Sequence, residues 1–212
     1  MKKKLLLLPV IVIIYLLLHL VVKYNENRKD ELIEAQVRGE MEDRYETFSR
    51  ELATWKIFEF KEMGYKASFP DEPKYEVLKL EIEGKQDIEY ERISAPIGSE
   101  AYDPEISYVV IKRGYSEENI EFGSKRLLED SVYFLSWIEN AEQVSSNFGT
   151  FKGYDSLRFE LEAINTGFIY KGEVIYRPAH KSTYIIMQKD KKYKGAPGGM
   201  YDHLLESFEF LE

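Results

Sequence analysis

The sequence predicts an α+β fold: a single transmembrane helix, a helical stalk, then an antiparallel β-sheet flanked by helices. Three observations carry this expectation. An uncharged apolar run lies near the N-terminus, a charged segment of helical period follows it, and beyond Trp55 the apolar spacing changes to period 2. These divide the 212 residues into a basic tail (1–4), an anchor (5–22), a charged amphipathic stalk (23–54) and a globular domain (55–212).

The anchor runs from Leu5 to Val22, eighteen residues without a charge. As a helix it spans roughly 27 Å, close to a hydrocarbon core of about 30 Å. Lipid demands a helix here, because backbone groups left unpaired in hydrocarbon are costly. Pro9 falls in the first two turns, where its missing donor matters least. A cleaved secretory signal is the weaker reading, since the exit Leu18-His19-Leu20-Val21-Val22-Lys23 has no small-residue cut site. The chain has no cysteine, so lipoprotein acylation is excluded. Lys2, Lys3 and Lys4 sit directly against the helix, whereas Lys23, Arg28 and Lys29 flank its other end. The contiguous cluster favours a cytoplasmic N-terminus and an extracytoplasmic domain, with the bacterial periplasm as the expected compartment.

The stalk is charged and free of proline. Ile33, Val37, Met41, Tyr45, Phe48, Leu52 and Trp55 recur every three or four residues and trace one helical face. Glu34 with Arg38, Glu40 with Arg44 and Glu46 with Arg50 are acid-first pairs one turn apart, each contributing ~0.2–0.5 kcal/mol. Gly39 weakens the middle by roughly 1 kcal/mol relative to alanine. The apolar face packs either on the chain's own domain, the reading favoured by the shortness of the heptad pattern, or on a second copy as a coiled-coil homodimer.

In the globular domain Tyr65, Ala67 and Phe69 alternate, and Pro70 and Pro73 stop that strand. Leu78, Leu80 and Ile82 alternate with charges, and Gly84-Lys85 turns the chain into Ile88, Tyr90 and Ile93. Ile106 to Ile111 is the continuous apolar run of a central strand. Ser124 is the expected N-cap of a helix with Leu127, Leu128, Val132, Leu135 and Ile138 on its apolar face. Leu157, Phe159 and Leu161 alternate next. Phe168, Tyr170, Val174 and Tyr176 follow, with Gly172 as a bulge or close contact. Tyr184 to Met187 reads as a short buried strand. A basic, glycine-rich loop from Lys189 to Gly199 leads to a last helix from Tyr201 to about Glu206, and Phe208 and Phe210 mark a closing strand. Short turns between strands imply antiparallel pairing.

In order along the chain come FPDEP at Phe69 to Pro73, ISYVVI at Ile106 to Ile111, the amphipathic helix, and the Gly149/Gly153 pair at a long hairpin. YRP at Tyr176 to Pro178 and LLESFEF near the end complete the set. This order over residues 56–212 resembles the PsbP-like group, whose domains share a fold with a yeast Ran-binding import factor. The resemblance implies an antiparallel sheet sandwiched between helices, an α/β/α arrangement. It also implies a binding role without a shared catalytic site, as in extrinsic photosystem subunits, envelope lipoproteins and secretion adaptors. An anchor and stalk stand here in place of a lipidated cysteine or transit peptide.

Residues 1–55 hold nine basic and nine acidic side chains, so the net charge of −9 belongs to residues 56–212. An acidic domain argues against nucleic acid as a partner. Cysteine nucleophiles are excluded and no G-x-S-x-G elbow occurs. With His19 in the anchor, only His180 and His203 remain, too few to suggest a zinc centre. Glu100, Asp103 and Glu105, and Glu117, Glu118 and Glu121, lack an EF-hand register and read as solvated charge. No catalytic, metal or cofactor-binding residue is therefore assigned, and no cofactor is expected. The candidate partner- or anion-binding loop comprises Lys189, Lys191, Lys192, Lys194, Gly195, Gly198 and Gly199, a basic patch on an acidic domain without the P-loop pattern. The expected function is a membrane-anchored, non-catalytic adaptor or assembly module acting on a protein partner at the extracytoplasmic face. The alternative is a tethered carboxylate-based hydrolase or ligand-sensing domain.

Overall fold

The computed structural model describes residues 54–81, 87–96, 107–191 and 199–212. The basic tail, the anchor and the stalk as far as residue 53 lie outside the described residues, as do Glu100, Asp103 and Glu105. Among the described residues no helix is long and apolar enough to cross a membrane.

The domain is a mostly antiparallel β structure with a few helices. In chain order it runs β1 (Lys56–Phe60), β2 (Tyr65–Phe69), β3 (Lys74–Leu80), β4 (Ile88–Pro96) and β5 (Ser107–Gly114), then α1 (Glu117–Ile120) and α2 (Ser124–Ile138). β6 (Ala141–Phe151), β7 (Tyr154–Ala163), β8 (Phe168–Arg177), β9 (Ser182–Lys191), α3 (Met200–Ser207) and β10 (Glu209–Phe210) follow. Seven strands form one antiparallel sheet in the order β3-β4-β5-β9-β8-β7-β6, and β1-β2-β10 form a second. Two meanders therefore meet at the β5–β9 pair. α1 and α2 carry the chain from β5, inside the sheet, to its far edge at β6.

Strand alternation sends two apolar sets to opposite faces of the large sheet. On one face Val109, Ile111, Leu157, Phe159, Leu161, Val174, Ile185 and Met187 pack against Leu127, Leu128, Val132 and Leu135 of α2. On the other face Tyr65, Tyr184 and Phe208 are all fully buried. There the small sheet and α3 take the place of the helical layer that an α/β/α sandwich would have. Tyr65 meets Tyr184 across this junction at 6.2 Å between ring centres. The layer is small because β2 directs Tyr65, Ala67 and Phe69 inward while β10 adds only two residues.

Trp55, the last residue of the apolar stalk periodicity, packs edge-on against Tyr108 (5.2 Å) and His203 (5.0 Å) of the domain, in line with the favoured packing of that face on the chain's own domain. Several elements differ from the sequence expectation. The N-cap of α2 is Gly123, not Ser124. The Ser124 hydroxyl donates to Asp155 at 2.6 Å, which takes it away from the helix terminus. Gly172 is a close contact and not a bulge, since pairing on both sides of it is continuous. A Cβ there would lie 2.4 Å from Phe159 Cζ and 2.7 Å from the Ile186 carbonyl oxygen. The register shift falls instead in β6, between Gln143 and Ser145. β9 extends well beyond Tyr184–Met187, because its polar end keeps pairing with β8 as far as Phe168↔Lys191.

Candidate functional site

Where β5 leaves the sheet, its apolar run gives way to Lys112-Arg113-Gly114-Tyr115. Register with Tyr90 puts Arg113 on the α2 face of the sheet, at the margin of the core. Its guanidinium pairs with Asp130 of α2 at 2.8 Å. The same group lies 4.8 Å from the centres of both the Tyr115 and Phe134 rings. A cation held between a carboxylate and two aromatic faces is well satisfied despite being largely removed from water.

Tyr115 is fixed from below. Its hydroxyl lies 2.7 Å from Ser131 Oγ, which in turn lies 2.7 Å from Thr183 Oγ1. Burial pushes the Tyr115 phenol above its ordinary range. Ser131 also donates to the Leu127 carbonyl at 2.9 Å, which ties this chain of hydroxyls to α2.

Above this floor opens a groove of about 610 Å³ between α2, α1 and the start of β4. Tyr133 and Trp137, one helical turn apart, form one wall and are 74% and 51% exposed. Asp87, Glu89, Asp130 and Arg113 also line the groove. Asp87 is held by Lys79 at 2.6 Å. The lining thus combines two large exposed rings with three acids and one arginine. Tryptophan, tyrosine and arginine are the residue types enriched at interface hot spots.

A second polar cluster lies on the opposite face. The Tyr184 hydroxyl donates to the Met63 carbonyl at 2.6 Å and lies 2.9 Å from His180 Nδ1. Arg177 donates to the carbonyls of Gly64 (2.9 Å) and Leu211 (2.6 Å) and lies 4.8 Å from the Phe210 ring centre. Gly64 has φ +78°, and a Cβ on it would come within 2.5 Å of His180 Cε1. Burial, and secondarily the Arg177 charge, lowers the His180 pKa. Burial pushes Tyr184 up to about 12. Folding therefore keeps its proton beyond the ordinary phenol value of about 10, so this stabilisation is present below pH 10 and is lost as pH rises through about 12. The phenolate absorbance of the wild-type chain minus that of Tyr184→Phe is expected to show a step near 12; a step at 10 would contradict the burial. This cluster fastens chain segments together.

The basic loop is only partly described. Lys189 and Lys191 are strand residues of β9, their ammonium groups 4.2 and 5.4 Å from the centre of the Phe168 ring. Gly199 is the residue preceding α3. Lys192, Lys194, Gly195 and Gly198 lie outside the described residues. Glu117 and Glu118 belong to α1, and Glu117 pairs with Lys181. Among the described residues no three histidine or acidic side chains converge as a metal site would require.

The groove was missed in the sequence. Tyr133 and Trp137 carry a signal there, as aromatic residues on the polar side of an amphipathic helix, but Arg113, Asp87 and Glu89 join them only through the sheet. No family model matches the chain, and no curated protein matches it. Among solved structures the chain is similar to the solution structure of cyanobacterial PsbP (CyanoP) from Synechocystis sp. PCC 6803, at 10% sequence identity over 74% of this chain and 93% of that one, with a TM-score of 0.43.

Proposed function

We propose that the protein is a membrane-anchored, non-catalytic binding module that holds a protein partner at the extracytoplasmic face. The observation that carries this reading is the groove beside α2, where Tyr133 and Trp137 are exposed over a concavity with a charged floor. Tyrosine, tryptophan and arginine dominate the energetics of protein interfaces, and all three meet here. The apolar run from Leu5 to Val22 supports the anchor, and the PsbP-like order of sequence features supports a binding role over a catalytic one. A carboxylate-based hydrolase needs a carboxyl with a raised pKa in a pocket; among the described residues Glu76 and Glu209 are held below the usual range by their bonds to Lys74 and Lys66.

A photoreactive phenylalanine analogue in place of Trp137, in the full chain and in intact membranes, tests the reading. It is expected to give one discrete adduct that the same analogue at Glu206, on α3, does not give. No adduct at position 137, or equal adducts at both, would reject the groove as the binding site. An alkaline phosphatase fused to the C-terminus is expected to be active, and an inactive fusion would reject the extracytoplasmic assignment.

A further inference from the structure

We propose that the outer edge of β6 is a self-association surface, on which a second copy of this chain lays its own β6 antiparallel to the first. Among the described residues β3 and β6 are the edge strands of the large sheet, and β7 alone pairs with β6. Charge protects the β3 edge: Lys74, Glu76 and Lys79 fall within its seven residues, and both lysines are well exposed. β6 is eleven residues long, carries its one charge at Glu142, and is exposed from there to Thr150. Neither charge nor proline stands between Gln143 and Phe151, so the register shift at Gln143/Ser145 is the only device on this edge that discourages another strand.

The hairpin turn fixes which backbone groups are open. Lys152 and Gly153 have φ +49° and +87°, the two positive values of a type I′ turn. Such a turn bonds its flanking residues, here Phe151 and Tyr154, to each other. Alternation then aims the N–H and C=O of Gly149, Asn147 and Ser145 at β7, and those of Thr150, Phe148 and Ser146 outward. A two-fold axis at Phe148 satisfies all three, pairing Phe148 with its own copy and Ser146 with the second copy's Thr150. Ring then lies beside ring and hydroxyl beside hydroxyl, both favourable cross-strand pairs, and no like charges oppose between Ser145 and Phe151. The Phe148 ring is 48% exposed, which leaves area for the second ring to cover. This match of the stretch to itself about Phe148 favours a second copy over an unrelated extended segment.

The chain has no cysteine, so introduced thiols report the register. Full-length Ser146→Cys and Thr150→Cys chains, carrying different tags, are co-expressed and oxidised with copper phenanthroline in intact membranes. Opposed residues of a hydrogen-bonded pair lie about 5.5 Å apart at Cα, within the span of a disulfide. A dimer bearing both tags is expected on a non-reducing gel. Either variant expressed alone sets its thiols about 14 Å apart along the strands and is expected to give about five-fold less dimer. Absence of the mixed dimer overturns the proposal. Equal yields from the single variants also overturn it, because they would reduce the contact to collision. Phe148→Lys added to both chains, shown by circular dichroism to be folded, is expected to cut the mixed dimer about five-fold; an unchanged yield overturns the edge pairing. A photoreactive phenylalanine analogue at position 148 is expected to give an adduct of two copies, a readout that needs no charged variant to fold. Adducts with other proteins alone would assign the edge to a different partner and overturn the second copy as its occupant.

Discussion

Phe208→Ala is expected to lower the unfolding free energy by about 3–5 kcal/mol, the range for truncating a fully buried phenylalanine. Phe208 is 0% exposed and joins α3 to β10. Its ring stacks on Tyr65 at 4.7 Å and meets Phe210 edge-on at 5.1 Å. The small sheet and α3 are thin, so the surrounding layer cannot collapse into the void without losing its contact with Tyr184. The Lys152 ammonium donates to the carbonyls of Glu206 (2.9 Å) and Phe208 (2.7 Å), and this cation at the end of α3 fixes the backbone around the ring. Urea unfolding followed by intrinsic fluorescence checks the value. Phe208→Leu, which retains most of the volume, is expected to cost clearly less, and an alanine variant with an unchanged midpoint would show that this layer contributes little.

Arg177→Ala is expected to cost about 2–4 kcal/mol, combining two charge-assisted hydrogen bonds with the loss of stacking on Phe210. Arg177 is 7% exposed, and its two terminal nitrogens reach Gly64 and Leu211, residues far apart in the chain. The carbonyl of Gly64 also accepts the Leu211 amide at 2.9 Å. One side chain therefore clamps the β1–β2 turn to the end of β10. Arg177→Lys is expected to recover less than half of the loss, because an ammonium on a single stem cannot reproduce the planar fork. Hydrogen exchange at the Leu211 amide gives the local readout. It is expected to quicken markedly in Arg177→Ala and little in Phe168→Leu, a change on the other face of the large sheet.

Strands with strong alternation were legible in the sequence. β2 and β7 have one face buried completely, so their apolar residues fall at every second position. β1 and β6 were not legible for the complementary reason. β6 is an edge strand and is exposed from Glu142 to Thr150, so burial imposes no pattern on it. The extension of β9 was hidden in the same way: Gln188 to Lys191 pair through their backbone while their side chains are partly solvated. Ser124 shows the limit of local rules at a helix start, because a carboxylate 31 residues away competes for its hydroxyl.

The candidate sites divide along the same line. The run of lysines from Lys189 through Lys194 is visible in sequence because its residues are close neighbours. Two of those lysines extend a strand and lie over Phe168. The groove is assembled from β4, β5, α1 and α2, and no local window contains its composition.

Taken alone, the sequence determined the α+β class, the central apolar strand, the face of α2 and the acidic character of the domain, because burial writes period and composition directly into neighbouring residues. Only the tertiary structure decided that a second small sheet covers one side of the large one, that Arg177 ties the β1–β2 turn to the end of β10, and that Tyr133 and Trp137 line one groove with Asp87 and Glu89. Those outcomes depend on strand order and on the α2 crossover, which arise from pairing between distant segments and leave no periodic trace in either partner.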